Sequence, residues 1–378
     1  MNFEFSPEQR QLRDQARRFF AEQCPPETVR AVLDGQIGHH AQLWQSMADM
    51  GFMGVTIPET YGGLGLGYLE LCVIAEECGR ALLPLPFSSS AYIATEFLLI
   101  GGSQEQKDRW LPLLASGKAI GTFAYAEGSA MVTASSITAR YAAGYLHGVK
   151  LPVPDGSHAD FAIVAAKADG REELSLYAVD LNGDGVERSP LATIDPTRHH
   201  AQITFAAAPA EPLGHTGTGE AMIAAVYDRA AVLFAFEQLG GADCALAMAR
   251  DYALDRKAFG RAIGSFQAIK HMLANMYVAS VLARSNCYYG AWALSTHADE
   301  LPGAAATARI SATQAYQLCA KDAIQVHGGM GFTWDFDCHL HYRRSHLLAV
   351  NLGSLSQWED QLIDHLQAAK QRDLGSTA

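Results

Sequence analysis

The chain has 378 residues, with 28 lysines and arginines against 40 aspartates and glutamates, a net charge of −12, and 49% hydrophobic and 18% charged residues. That balance suits a large buried core and excludes a disordered chain. The acidity excludes nucleic acid as a general partner, although a local basic pocket can still take a small anion. Seven cysteines, odd in number and without a C-x-x-C pair, read as reduced thiols and mostly core filler, which points to the cytoplasm. The opening Met-Asn-Phe-Glu-Phe-Ser-Pro has neither a basic n-region nor an apolar h-region, so no signal peptide is expected. No apolar run approaches the roughly 18 residues of a membrane span.

In chain order, residues 1–120 read as a helical domain. Ser6-Pro7-Glu8-Gln9 offers an N-cap, a proline at the first helical position and an early acid, and Leu12, Ala16, Phe19 and Phe20 then recur at helical spacing. Further helices are expected over Ala41–Met50, about 68–80, 88–100 and 103–114, with a glycine-rich turn at Pro58–Gly65. Residues 121–215 change texture. Strand-like pieces at Gly121–Ala126, Tyr145–Val153, Phe161–Ala165, Leu174–Val179 and Gln202–Phe205 are separated by turn chemistry such as Pro154-Asp155-Gly156 and Asn182-Gly183-Asp184-Gly185, which predicts a small antiparallel sheet or barrel. Residues 216–378 return to long helices: Glu220 to about Leu254, Phe266–His297, Ala304–Val326 and Ser354 to Ala369. Gly240-Gly241 interrupts the first of these, which a close helix contact would explain. The fold class is α+β, with helical, β and helical domains in sequence.

Three stretches then carry a resemblance. Tyr252-Ala-Leu-Asp-Arg256-Lys-Ala-Phe259-Gly260 with Ile263-Gly-Ser-Phe-Gln267, and Gln325-Val-His-Gly328-Gly329-Met-Gly331-Phe332, resemble the signatures of the acyl-CoA dehydrogenase family, and Ile57–Gly65 is similar to its N-terminal turn. The likeness spans essentially the whole chain in the right order. It implies a helical N-terminal domain, a middle β domain and a C-terminal four-helix bundle. It also implies FAD as cofactor, a coenzyme A thioester as substrate, and an electron-transfer acceptor. A carboxylate would remove the α-proton while the β-hydrogen leaves as hydride to the flavin. Members are usually tetramers, each flavin's ADP half reaching a neighbouring subunit. On this footing Arg256 suits the pyrophosphate by its fork geometry. Gln267 and Gln325 suit polar edges of the dinucleotide, Phe259 its apolar portion, and Gly328-Gly329 a close backbone approach. Read as residues alone, Arg256 beside Asp255 is equally a surface ion pair, and Gly328-Gly329 a helix C-cap.

The departures from the family are as informative. Leu352, in Val350-Asn-Leu-Gly-Ser354, stands where the usual catalytic glutamate would be, and Ala230 stands at the alternative position early in the long helix; neither accepts a proton. The flavin-facing loop has become Ala126-Glu127-Gly128-Ser129-Ala130-Met131, and Pro152-Val153-Pro154 replaces a Trp-x-Thr segment, removing an aromatic wall, a hydroxyl and two backbone donors. Glu237, seven residues after Ala230 and flanked by Phe234, Phe236 and Leu239, is a weak candidate for a relocated base, against a structural glutamate between helices. Glu127 is a second candidate, or a loop residue. Pocket shape would come from side chains near 88–100 and 227–240. His339, His341 and His346 could suggest a metal, but two following arginines fit an exposed basic stretch, and no metal is expected.

Three readings stand. The chain is a subunit of a heteromeric acyl-CoA dehydrogenase, a heterotetramer whose homologous partner supplies the base, as the family has for bulky acyl groups in lipid or steroid catabolism. Alternatively it is a homo-oligomeric dehydrogenase with a relocated base such as Glu237, or a non-catalytic scaffold that binds acyl-CoA or a flavoprotein.

Overall fold

Ser6 and Gln9 close a reciprocal cap on the first helix, α1 (Pro7–Gln23): the Ser6 hydroxyl accepts from the Gln9 N–H, and the Gln9 side chain accepts from the Ser6 N–H. Two amides that a helix start leaves unpaired are thereby satisfied. In the computed structural model, which describes residues 5–36, 38–128 and 132–375, there follow α2 (Pro26–Leu33), α3 (Ala41–Asp49), α4 (Tyr68–Arg80), α5 (Thr95–Gly101) and α6 (Gln104–Ala115). The strands are β1 (Gly121–Ala124), β2 (Arg140–Ala142), β3 (Tyr145–Pro154), β4 (Phe161–Ala168), β5 (Leu174–Asp180), β6 (Val186–Leu191), β7 (His200–Pro209) and β8 (Glu211–Leu213). After α7 (Gly219–Asp255) a short hairpin, β9 (Lys257–Ala258) and β10 (Arg261–Ala262), leads to α8 (Gln267–Ser295), α9 (Leu301–His327), α10 (Cys338–Leu348) and α11 (Leu355–Gly375). The chain gathers into two units, one of residues 1–29, 68–83 and 231–378, the other of residues 30–67 and 84–230.

The second unit holds the sheet, in the order β6-β7-β3-β2-β4-β5-β8, with β1 also on β4. The antiparallel expectation needs one correction: β4 runs parallel to both β1 and β2, so the sheet is mixed. The connection explains β1. The Asp160 carboxylate accepts the Ile120 N–H at 2.8 Å and the Ile120 carbonyl accepts the Asp160 N–H at 2.7 Å, which clamps the two strand starts together. Phe161 to Lys167 is buried throughout, as befits an apolar run covered on both faces. The short strands β2, β6 and β8 have no counterpart among the expected strands, because none carries an apolar alternation. The segment Ser88–Ala94, expected as ordinary helix, is π-helical and buried at every residue.

The first unit is helical. A Cβ on Gly79 would stand 1.7 Å from the Glu237 carbonyl oxygen, and one on Gly240 1.8 Å from that of Glu76. Helices α4 and α7 therefore cross backbone to backbone at Gly240, while Gly241 faces the Tyr316 ring of α9, and α7 runs through both unbroken. Around the crossing, Arg284 lies 3.0 Å from Glu76 and 2.5 Å from Asp243, and Arg80 lies 3.3 Å from Asp243. Contrary to the expectation from sequence, one 18-residue window of α7 has the mean hydropathy of a membrane span, 1.3, but 72% of it is buried inside the protein. A core helix passes the same test.

Candidate functional site

In the first unit, the residues matched to the ADP-binding signature lie where α7 ends, where α8 begins and where α9 ends. The Arg256 N–H donates to the Tyr252 carbonyl at 2.8 Å, and the Arg256 carbonyl accepts from Ile263 at 2.8 Å, so the hairpin folds back on the helix end. The Arg256 side chain is exposed and, among the described residues, has no ion-pair partner; the pairing with Asp255 is not formed. Phe259 is 95% exposed with φ at 53°, a backbone region that a bulky non-glycine residue seldom adopts. Its ring meets Phe266 edge-on at 6.1 Å, and Arg261 covers Phe266 at 4.2 Å. Gln267, the first residue of α8, and Gln325, in the last turn of α9, are both exposed. At Gly328, φ 60°, and at Gly329 nothing lies within 4 Å of where a Cβ would be. An unpaired guanidinium, two exposed amides, an open glycine pair and a bare aromatic ring fit an anionic dinucleotide.

The two positions that the family resemblance assigns to a proton acceptor are apolar. Leu352 is 4% exposed, its carbonyl accepts from the Trp358 indole at 3.1 Å, and Ser354 with Gln357 caps α11 immediately after it. Ala230, in the second unit, is fully buried. Glu237 is buried in the first unit, with Arg344 3.9 Å away and a second buried arginine, Arg309, under the influence of its charge. Burial pushes Arg309 down to about 10 against that charge. Arg344 donates to the Leu83 and Leu82 carbonyls at 3.2 and 3.3 Å, and Arg309 donates to Gln238 and to the Leu348 carbonyl. Glu237 thus faces two buried cations that tie chain turns together. Phe236 stacks on Tyr288 at 6.0 Å, and Phe234 lies beneath Arg309 at 5.8 Å.

Ser129, Ala130 and Met131, of the loop expected from the resemblance to face the flavin, lie outside the described residues. Glu127 is saturated: its carboxylate accepts from the Thr138 N–H and hydroxyl, from the Ala139 N–H at 3.1 Å and from Lys150 Nζ at 2.6 Å. Burial works to raise its pKa, but the hydrogen bonds from Lys150 and Thr138 outweigh it and hold it low. Lys150, which the sequence reading passed over, is fully buried on β3, and burial lowers it to about 8 against the attraction of Glu127. A lysine in phase with the inward-facing Leu146 was the available signal. The residue pair Pro152 and Pro154 closes β3 with a cis Leu151–Pro152 bond. Sequence reading also missed Asp228, a half-buried carboxylate on α7 with no hydrogen bond among the described residues, pushed up to about 6 by burial while Arg229 opposes the shift.

The expected exposed basic stretch on α10 is corrected. His341 and Arg344 are each 1% exposed. The Tyr316 hydroxyl meets His341 Nδ1 at 3.0 Å, and burial, helped by the Arg344 charge, drives that imidazole down to about 3. The i, i+3 spacing puts both side chains on the inward face of the helix, which outweighs their polarity. His339 stacks on Trp334 at 4.7 Å and His346 meets Tyr342 edge-on at 4.6 Å. Among the described residues no group of three or more histidine, cysteine, aspartate or glutamate side chains is placed to hold a metal.

Residues 6–118 match the acyl-CoA dehydrogenase N-terminal domain, and residues 217–357 match the acyl-CoA dehydrogenase C-terminal domain. The acyl-CoA dehydrogenase IpdE2 of Mycobacterium tuberculosis is 32% identical over 90% of this chain and 92% of its own length. Among solved structures, the Tcur3481-Tcur3483 steroid ACAD is 29% identical with a TM-score of 0.86, covering 96% of this chain and 98% of its own. The ChsE4-ChsE5 complex from Mycobacterium tuberculosis is 25% identical with a TM-score of 0.87, covering 97% and 99%.

Proposed function

Because this chain belongs to the acyl-CoA dehydrogenase family of FAD-dependent oxidoreductases, we propose that it serves α,β-desaturation of an acyl-CoA thioester as one subunit of a cytoplasmic heteromer whose homologous partner supplies the base. The observation that carries this reading is an asymmetry. Leu352 and Ala230, at the two positions the resemblance assigns to the base, are buried and apolar, while Arg256, Phe259, Gln267 and Gln325 stand exposed. Similarity to a steroid ACAD and to a ChsE4-ChsE5 complex favours a bulky acyl chain and a paired subunit.

In this arrangement Arg256 would hold the pyrophosphate of a flavin seated largely on the partner. Gln267 and Gln325 would bond the dinucleotide's polar edges, and Gly328-Gly329 would admit its backbone contact. FAD, when bound, supplies the hydride acceptor for the β-hydrogen. The α-proton goes to a carboxylate of the partner, since a methyl or isobutyl group cannot take it. The Glu127–Lys150 pair would keep the loop after β1 fixed to β3, and we assign it no proton-transfer role.

The test is co-expression with a homologous partner, with flavin quantified per chain and turnover followed on a panel of acyl-CoAs. The pair should hold fewer flavins than chains and turn over substrate, and this chain alone should exchange no α-proton. A stable assembly of this chain alone, with one FAD in every subunit, would sink the proposal. One observation favours a second, homomeric reading: burial pushes the Asp228 carboxyl on α7 up to about 6, so a relocated base would be Asp228 rather than the arginine-compensated Glu237. In that case Asp228→Asn would abolish turnover by the isolated chain.

A further inference from the structure

The residues proposed to hold the ADP half come from the end of α7, the start of α8 and the end of α9, and a ligand spanning the α7 and α9 ends needs their spacing fixed. One aromatic contact joins them. Tyr252, one turn before Arg256, stacks on His327, which lies between Gln325 and Gly328: the ring centroids are 4.2 Å apart and the planes 24° from parallel. Phe336 closes the group, edge-on to Tyr252 at 5.8 Å and to His327 at 5.6 Å. His327 is 5% exposed, and its Nδ1–H donates to the Ala323 carbonyl at 2.7 Å, which fixes both tautomer and ring orientation. The Tyr252 carbonyl in turn accepts the Arg256 N–H at 2.8 Å. On the other side of the stack the turn folds back over the α9 end, so that a Cβ on Gly331 would lie 2.6 Å from the Ile324 carbonyl oxygen and 3.1 Å from the His327 Cβ.

We propose that Tyr252 and His327 are positioning residues for the cofactor's ADP half: their stack sets the distance between the Arg256 guanidinium and the Gln325–Gly329 turn. This rests on the reading that those residues hold FAD. Neither ring need touch the ligand. Arg256 is on an exposed helix end followed by a two-residue strand, and the stack ties that helix end to the end of α9. A bidentate contact tolerates little misplacement, so loss of the anchor should be felt in affinity.

The experiment is equilibrium binding of FAD, read by quenching of flavin fluorescence, to the full chain in its native assembly, with ADP as competitor. Tyr252→Ala and His327→Ala should each weaken FAD and ADP binding about tenfold, the upper range for loss of an aromatic pair. Tyr252→Phe and His327→Phe should stay within about twofold of the parent, because the stack survives. Tyr252→Leu, which keeps apolar volume without a ring, serves where alanine unfolds the turn, and should lose affinity like alanine. In an Arg256→Ala background the Tyr252 substitutions should add little, since they act through Arg256. Unchanged binding in both alanine variants, or an undiminished effect in the Arg256→Ala background, overturns the proposal. Unchanged binding in Arg256→Ala itself would instead remove Arg256 from the cofactor site, which separates failure of the underlying reading from failure of this one.

Discussion

Arg256 is the side chain on which cofactor retention should depend most sharply. Arg256→Ala is expected to weaken flavin binding by about tenfold to a hundredfold, the range for one charge-assisted contact. Arg256→Lys should recover part of it, because an ammonium keeps the charge but not the fork; the absorbance ratio of bound flavin to protein measures both. The histidines predict acid sensitivity. In the second unit His39, His158 and His199 lie ring to ring, at 5.6 and 4.7 Å, with Asp155 buried nearby. Burial, reinforced by mutual repulsion, lowers His158 to about 4 and lowers His39 as well. Between the ordinary histidine value, about 6.5, and these lowered values the unfolded chain binds more protons than the folded one. Stability should therefore fall as pH drops through that window and level off below it. Urea titrations at pH 7.5 and pH 5 should show a lower midpoint at pH 5, and His158→Phe should narrow the gap. The candidate residues could be singled out where motif and spacing carried them, as for Arg256 and Gln325, which the fold leaves exposed. Lys150 and His341 were not, because a sequence cannot say which polar side chain will be buried with a partner.

At the scale of elements, the α4–α7 crossing should tolerate no added methyl. With the Glu76 carbonyl 1.8 Å from a Cβ on Gly240, Gly240→Ala must push two helix backbones apart, at a cost of about 2–3 kcal/mol or more; thermal unfolding would show it. Glu237 gives a complementary prediction. Glu237→Leu leaves buried Arg309 and Arg344 without their carboxylate and should cost about 3–5 kcal/mol, whereas Glu237→Gln should cost less and leave the activity of a co-expressed pair unchanged. The helices were readable from their apolar spacing, with a cap in agreement at Ser6-Pro7. The parallel entry of β1 was not, since strand direction is set by the Ile120–Asp160 clamp, a contact 40 residues apart. The fold was thus clearest where periodicity is local and least clear where one distant hydrogen bond decides.

For the whole molecule, the exposed side of α8 argues for assembly. Tyr277, Val278 and Leu282 are 62%, 54% and 61% exposed and fall on one stripe of the helix, an apolar surface of the kind found at lasting interfaces. Val278→Glu with Leu282→Glu should dissociate the complex, seen as a fall in mass by light scattering, without loss of helical circular dichroism, because neither residue is in the core. The division of the chain has a different consequence, for synthesis. Residues 30–67 and 84–230 can collapse into their unit as soon as they emerge, but α1 and α4 belong with residues 231–378. The Arg344 bonds to Leu82 and Leu83 span 262 and 261 positions. At translation rates of about 5–20 residues per second, those two early helices wait on the order of ten seconds with their apolar faces uncovered. A ribosome stalled near residue 230 should then carry a protease-resistant sheet flanked by a digestible amino-terminal helix, a natural client for a holding chaperone until the last third of the protein arrives.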